Sequence, residues 1–176
     1  MNREKILELM NSNSDDVTFA SNLSEAIVKE NTAQLDALIH EIHEAVINEE
    51  DVPDQTLEYY FGQLTSALYF LEPKSLDKPG FEEDITKANA RLKYNEAYAE
   101  NQLNNAASGK KPTQADNQLY AEMNSIDEQV LNSIYSRANK IIKCKFENAH
   151  EVLRTLSKKL SMRINDPTKF ISNNNV

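Results

Sequence analysis

Apolar residues recur at spacings of three and four along most of the chain, which is the period of an amphipathic helix. The first long run predicts a helix that begins near Asp15 and ends at the acidic residues 49–51, which are unfavourable at the negative end of a helix dipole. Its clearest apolar stripe consists of Leu35, Leu38, Ile42, Ala45 and Val46. A short helix over residues 3–10 precedes it.

A second helix is predicted between two prolines. Pro53 suits the first turn of a helix because its missing N–H is not needed there, and Pro73 closes the segment. One face is marked by Leu57, Tyr60, Phe61, Leu64, Leu68 and Leu71. Residues 17–72 therefore predict an antiparallel helical hairpin, and the sequence PKSLDKPG at 73–80 predicts a hinge, since it holds two prolines and a glycine.

The segment after the hinge begins with a heptad seam. Phe81, Ile85, Ala88 and Leu92 recur at spacings of four, three and four, and the seam continues through Asn95 and Ala99 with smaller or polar residues. Gly109 is the expected stop of this helix. Thr113 and Asp116 have the spacing of a capping box, which marks the start of the next helix.

Residues from Gln114 to Ile164 contain no glycine and no proline. They predict one helix of about 50 residues, roughly 75 Å long at 1.5 Å per residue. Its apolar stripe comprises Leu119, Met123, Ile126, Val130, Ile134, Ala138, Ile142, Phe146, Ala149, Leu153, Leu156 and Leu160. The remaining helices are too short to cover it in a 20.0 kDa monomer, so we expect an antiparallel pair with helix 81–106 and neighbouring chains over the rest.

These elements predict an all-α protein that self-associates, most simply through the C-terminal helix. The expected division is an acidic N-terminal hairpin over 1–72, a hinge over 73–80 and a long helical pair over 81–176. The expected packing and oligomerisation positions are Ile142, Phe146, Leu153, Leu156 and Leu160. Cys144 is the single cysteine, and there is neither a signal peptide nor an apolar run of transmembrane length, so we expect a cytoplasmic protein that binds no membrane.

Charge is distributed unevenly along the chain. The net charge is −9, yet residues 137–169 hold nine Lys and Arg against three Asp and Glu, whereas residues 1–136 hold ten against 25. On a helical wheel at about 100° per residue, Lys140, Lys143, Arg154 and Lys158 lie opposite the apolar stripe. Glu147 and Glu151 share that face and can pair with Lys143 and Arg154.

Four further cations flank the apolar stripe, where their stems can cover it while their charged groups remain free. They are Arg137, Lys145, Lys159 and Arg163. One interpretation of the basic helix is a surface that follows phosphates of nucleic acid without reading sequence. The other is that these cations satisfy the helix dipole and the acidic helices of a neighbouring subunit.

The sequence offers little for catalysis or metal binding. His40, His43 and Glu44 lie in HEIHE, but the second histidine comes one position too early for HExxH, and no second cluster completes a site. Cys144 lies beside two lysines without a neighbouring histidine, and GKK at 109–111 lacks the glycines of a phosphate loop. We therefore expect a non-enzymatic protein without metal or cofactor.

The order of segments from Phe81 to Phe170 resembles a known family. It consists of a charged helix (EEDITKANARLKYNEAYAEN), a short loop (SGKKPT), and a long helix ending in VLRTLSKKLSMRI before NDPTKF. This resembles the UvsY-type recombination mediators of tailed phages, which are small helical proteins that form rings, bind single-stranded DNA and help load a recombinase onto strands covered by single-strand-binding protein. The resemblance covers about half the chain and leaves residues 1–72 outside.

The resemblance implies a non-enzymatic accessory protein of phage recombination or replication in the host cytoplasm. Its partners would be further copies of itself, single-stranded DNA and a recombinase, single-strand-binding protein or helicase. The implied phosphate contacts are Lys140, Lys143, Lys145, Arg154, Lys158, Lys159 and Arg163, with Lys110 and Lys111 secondary. The alternative is a helical assembly or adaptor protein without nucleic-acid binding, such as a virion component or an acidic inhibitor of a host protein.

Overall fold

The computed structural model describes residues 6, 8, 17–49, 52–70, 78–109 and 111–164. Within these ranges the chain contains helices and no strand, which confirms the all-α prediction. The helices are α1 (Val17–Ile42), α2 (Asp54–Phe70), α3 (Pro79–Ala107), α4 (Gln114–Asn124) and α5 (Ile126–Ile164). Most of the predicted helix 3–10, most of the predicted hinge and Lys110 lie outside the described residues.

The C-terminal end of α1 and the start of α2 fall close to the predicted positions, whereas the predicted start near Asp15, residues 50–51 and Pro73 lie outside the described residues. α1 continues into a π-helical turn, His43–Ile47, and the N–H of Asn48 donates to the carbonyl of His43 at 3.1 Å. The carbonyl of Pro53 accepts from the N–H groups of Thr56 and Leu57, so Pro53 is the N-cap of α2 and lies one residue before the predicted position.

The chain divides into two compact units, each assembled from two stretches. The first comprises Met1–Asn31 and Pro73–Ile142, and the second comprises Thr32–Glu72 and Lys143–Val176. Helices α1 and α5 each contribute to both units. The predicted division at 73–80 stays a prediction, because most of that segment lies outside the described residues.

The first unit joins its helices through both apolar and polar contacts. Its buried apolar residues include Leu23, Ile27 and Val28 of α1, Ala97 of α3, Ala121 of α4, and Leu131, Ile134, Tyr135, Ala138 and Ile142 of α5. Helix α3 packs against α4. Asn101 on α3 donates to Asn117 on α4 at 2.8 Å, while Thr86 donates to Asn132 and Glu83 accepts from Asn139 on α5.

The heptad seam of α3 is not its buried face. Phe81, Ala88 and Leu92 are exposed, whereas Thr86 and Ala97 are buried. The inward face carries the side chains that hydrogen-bond to α4 and α5, and such hydrogen bonds join a helix pair without large apolar residues. Hydrophobic periodicity alone could not show this arrangement.

The second unit has its own apolar core. It contains Leu35, Ile42, Val46, Val52, Leu57, Leu64, Leu68, Phe146, Ala149 and Leu156, all buried. From Val130 to Leu160, the stripe predicted on the C-terminal helix is buried or half-buried within a single chain: Ile142, Phe146 and Leu156 are buried, while Leu153 and Leu160 are half-buried. Neighbouring chains are therefore not needed to cover these positions, and self-association stays a prediction.

The prediction of a single helix from Gln114 to Ile164 was wrong. The helix is interrupted at Ser125, which separates α4 from α5. Ser125 is fully buried, its N–H donates to Glu122 at 3.3 Å, and its hydroxyl donates to the carbonyl of Ala121 at 2.8 Å. The Gln129 side chain donates to the same hydroxyl at 2.7 Å. Serine hydroxyls that bond back to the preceding turn bend helices, which is why no glycine or proline is required.

Candidate nucleic-acid interface

The exposed face of α5 carries part of the predicted cation set. Lys140, Lys143, Arg154 and Lys158 are all exposed, as the helical wheel predicted. Arg154 donates to Glu151 on the same face, which neutralises part of its charge locally. Among the described residues, none forms an ion pair with the other three of these cations, so Lys140, Lys143 and Lys158 present free ammonium groups to solvent.

Lys145 is engaged inside the second unit. Its ammonium group donates to Asp36 of α1 at 2.5 Å, and both side chains are partly shielded from solvent, with 32% and 43% of their surfaces exposed. Asp36 also accepts from the hydroxyl of Thr32 at 2.9 Å. The lysine is therefore a link between two helices of one unit and is not available to a phosphate without breaking that link.

Lys159 binds the C-terminal end of the π-helical turn that continues α1. Its ammonium group donates to the carbonyl oxygens of Val46 at 2.6 Å and Glu49 at 3.0 Å. The last carbonyls of a helix lack intrahelical donors and carry the negative end of the helix dipole. The Lys159 ammonium group therefore supplies these carbonyl oxygens with a donor and offsets the negative end of the helix dipole.

Arg163 binds the start of α2. Its guanidinium group donates to the carbonyl of Val52 and to the carboxylate of Asp54, the latter at 3.1 Å. Lys159 and Arg163 are four residues apart on α5, so together they hold both ends of the connection between the π-helical turn and α2. The prediction that Lys145, Lys159 and Arg163 keep their charged groups free was wrong, because all three bind groups within the same chain.

The secondary candidates lie beside α4. Lys111 is exposed and lines an open cleft together with Asn105, Asp116 and Leu119, whereas Lys110 lies outside the described residues. The cleft is formed between α3 and the start of α4, away from the lysines of α5 in sequence. Lys111 shares this cleft with a carboxylate, which weakens its attraction for phosphate.

Helix α4 begins with the predicted capping box. The hydroxyl of Thr113 accepts from the N–H of Asp116 at 3.2 Å, and the Asp116 carboxylate accepts from the N–H and hydroxyl of Thr113 at 3.0 and 2.8 Å. These hydrogen bonds from Thr113 lower the pKa of Asp116, because they stabilise the ionised carboxylate. The preceding helix ends at Ala107, and Gly109 follows its C-cap with a φ of 71°, the left-handed conformation expected of a glycine stop.

Three apolar residues at the N-terminal end of the stripe predicted over residues 114–164 are exposed. They are Leu119, Met123 and Ile126, which are 59%, 67% and 58% exposed. Leu119 and Met123 line both of two open clefts in the first unit; Tyr120 lines one of them, and Tyr94 and Ile126 line the other. We call Leu119 and Met123 of α4, together with Ile126 at the start of α5, the α4 ridge.

The α4 ridge is framed by carboxylates. Residues 114–129 contain four acidic residues and no lysine or arginine. Asp116 lines one cleft and Glu122 lines the other, and Asp127 is exposed directly after the ridge. The acidic residues on both sides of the ridge could have indicated from the sequence that the ridge is exposed. The apolar period continues through Ser125 without a break, however, and so predicted one stripe with a common environment.

The remaining candidates do not assemble a site. His40, His43 and Glu44 are exposed, and within the described residues no group of three or more His, Cys, Asp and Glu is placed to hold a metal ion. Cys144 is exposed and free. In the part of the chain that the structure describes, no helix is long and apolar enough to cross a membrane.

The fold defines the chain as an all-α protein built from two helical units. Comparisons with known proteins add no family to this class, since no family model, no curated protein and no solved structure matches the chain.

Proposed function

We propose that the protein is a non-enzymatic, oligomeric accessory protein that contacts single-stranded DNA through the free lysines of α5. The observation that supports this proposal is the exposure of Lys140, Lys143 and Lys158, none of which is engaged by an ion pair among the described residues. The resemblance to UvsY-type mediators gives the proposal its context of phage recombination or replication, with a recombinase, single-strand-binding protein or helicase as partners.

The proposed contact set is smaller than the sequence suggested. Lys145, Lys159 and Arg163 bind groups of the same chain, and Arg154 pairs with Glu151. Three phosphate contacts on a single strand correspond to a salt slope of about −2 per chain, at about −0.7 for each neutralised phosphate. A single chain should therefore bind weakly, and an oligomer that presents several α5 faces to one strand should bind more tightly.

The test is fluorescence anisotropy of a labelled single-stranded oligonucleotide, titrated with the protein at low and moderate salt. Lys143→Glu/Lys158→Glu should remove most of the binding. The matched control is Lys87→Glu/Lys93→Glu, which changes the net charge equally at two exposed lysines of α3. An equal loss of affinity in both variants would mean that the net charge of the protein, rather than the lysines of α5, determines binding. Absence of wild-type binding at low salt would refute DNA binding.

The second candidate function is a helical adaptor that binds a protein partner and no nucleic acid. The observation that favours it is the α4 ridge, because exposed leucine, methionine and isoleucine side chains beside open clefts are typical of protein-binding surfaces. The surrounding carboxylates favour a partner with a basic rim, and such a partner could be a nucleic-acid-binding protein whose site the adaptor occupies.

This candidate is tested with a defined probe. An 18-residue peptide with leucines at i, i+4 and i+7 flanked by lysines should bind the protein, and the same peptide with glutamates in place of lysines should not. Leu119→Ser/Met123→Ser should remove binding, whereas Leu103→Ser should not, because Leu103 is 71% exposed on α3 and lines neither cleft. If Leu119→Ser/Met123→Ser binds the lysine-flanked peptide as tightly as the wild type does, the α4 ridge is not the binding surface.

A further inference from the structure

The outward face of α3 carries an apolar stripe that the chain leaves exposed. Phe81 is 36% and Leu92 is 57% exposed, and Ala88 and Ala99 are also exposed, while Ile85 is half-buried. The opposite face of α3 holds the hydrogen-bonded contacts to α4 and α5. Phe81 and Leu92 therefore point away from the core of their own unit.

The spacing of this stripe is that of a helix pair. From Phe81 to Ala99 the stripe advances by four, three, four, three and four residues, with Asn95 as its polar member. A repeat of 3.5 residues keeps a narrow seam facing one partner helix as the two supercoil. We call the six residues Phe81, Ile85, Ala88, Leu92, Asn95 and Ala99 the α3 seam.

The charges beside the α3 seam indicate the orientation of that partner. In a parallel pair with Leu92 at an a position of the heptad, the residue directly before Leu92 lies beside the residue five positions later on the partner helix. This places Arg91 beside Glu96 of a second copy. Because the dimer is two-fold symmetric, Arg91 of the second copy likewise lies beside Glu96 of the first. In the antiparallel register that stacks Leu92 on Ala88, Arg91 instead faces Arg91 of the second copy, which is repulsive.

Arg91 and Glu96 are available for such contacts. Both are exposed, and within the described residues neither takes part in an ion pair. The six seam residues carry no charge, so two chains of net charge −9 can meet there without placing carboxylates against each other. The α4 ridge differs in this respect, since its acidic frame would repel a second copy of itself.

We propose that the protein forms a parallel homodimer through the α3 seam, with Leu92 facing Leu92 of the second copy and Arg91 paired with Glu96 across the interface. Asn95 within the seam opposes slipped registers at a cost in stability. The seam spans fewer than three heptads, so the dimer is reversible and its population depends on protein concentration.

Sedimentation equilibrium of the full chain over a wide concentration range tests the proposal. The wild type should show a monomer–dimer equilibrium, and Leu92→Ser should raise its dissociation constant at least tenfold, because the symmetric interface loses two leucines. Leu119→Ser is the matched control, since Leu119 is a leucine of nearly equal exposure on another helix. A monomer at every concentration, or equal effects of both substitutions, would overturn the proposal.

A charge exchange tests the orientation without altering the apolar seam. Arg91→Glu and Glu96→Arg should each weaken the dimer severalfold, and the double exchange should restore it, because each contact regains opposite charges. A double variant that dimerises no better than the single variants would overturn the parallel arrangement. These measurements contain no nucleic acid, so a failure of the dimer and a failure of DNA binding can be distinguished.

Discussion

The ammonium group of Lys159 lies 2.6 Å from the backbone carbonyl oxygen of Val46, at the point where the π-helical turn ends. This contact explains part of the unusual concentration of positive charge near the C-terminus of an acidic chain. With Lys145 on Asp36 and Arg163 on Asp54, it uses basic residues of α5 to hold α1 and α2 within one unit. One of the two interpretations of the basic helix placed its acidic partners in a neighbouring subunit, but the acidic partners of Lys145 and Arg163 lie in the same chain.

Replacement of Lys159 by methionine should destabilise the protein. Lys159→Met keeps most of the apolar stem but leaves the carbonyls of Val46 and Glu49 without their cation, and we expect the free energy of unfolding to fall by about 1 kcal/mol. Lys158→Met is the control at an exposed lysine that no ion pair engages among the described residues, and it should change stability by less than about 0.5 kcal/mol. Urea denaturation measures both, and equal effects would exclude the capping role.

The Lys145–Asp36 pair should make a small, salt-sensitive contribution. A double-mutant cycle with Lys145→Met and Asp36→Asn should give a coupling free energy of about 0.5 kcal/mol, because both side chains are partly exposed. The coupling should shrink when sodium chloride is raised to about 1 M, where the Debye length is about 3 Å. A coupling that does not respond to salt would indicate that packing, rather than charge, joins these residues.

The capping box of α4 should respond to acid. Because the folded-state pKa of Asp116 is lowered, its stabilisation is fully present above the unfolded value of about 4 and is lost as the pH falls through the folded value. Thr113→Ala should therefore be destabilising at pH 7, and the difference from wild type should narrow below about pH 4. Thermal denaturation at several pH values measures this, and a constant difference would contradict the assignment.

Two glycines should respond to alanine in opposite directions. Gly62→Ala should stabilise the protein by up to about 1 kcal/mol, since Gly62 lies inside α2 and no other group lies within 4 Å of the added Cβ. Gly109→Ala should destabilise it by about 1 kcal/mol, because a φ of 71° is strained for residues with a Cβ. Chemical denaturation of both variants side by side provides the comparison, and a stabilising Gly109→Ala would contradict the glycine stop.

The sequence by itself determined the helical character of the protein and most helix ends. Apolar period, Pro53, Gly109 and the Thr113–Asp116 capping box act over a few residues, so their effect can be predicted without knowledge of distant contacts. The exposed positions of Lys140, Lys143 and Lys158 on α5 also followed from helical spacing alone. Local chemistry sufficed in each case.

Only the tertiary structure decided which charges are satisfied and which apolar stripes are buried. Lys159 meets Val46 across 113 positions of sequence, and no spacing rule identifies such a partner. The α3 seam and the α4 ridge have the same helical period as the buried stripe of α5, yet they face outward because polar side chains and the Ser125 interruption set how α3, α4 and α5 pack. Periodicity shows that a helix has an apolar face, whereas the neighbours of the helix determine what covers that face.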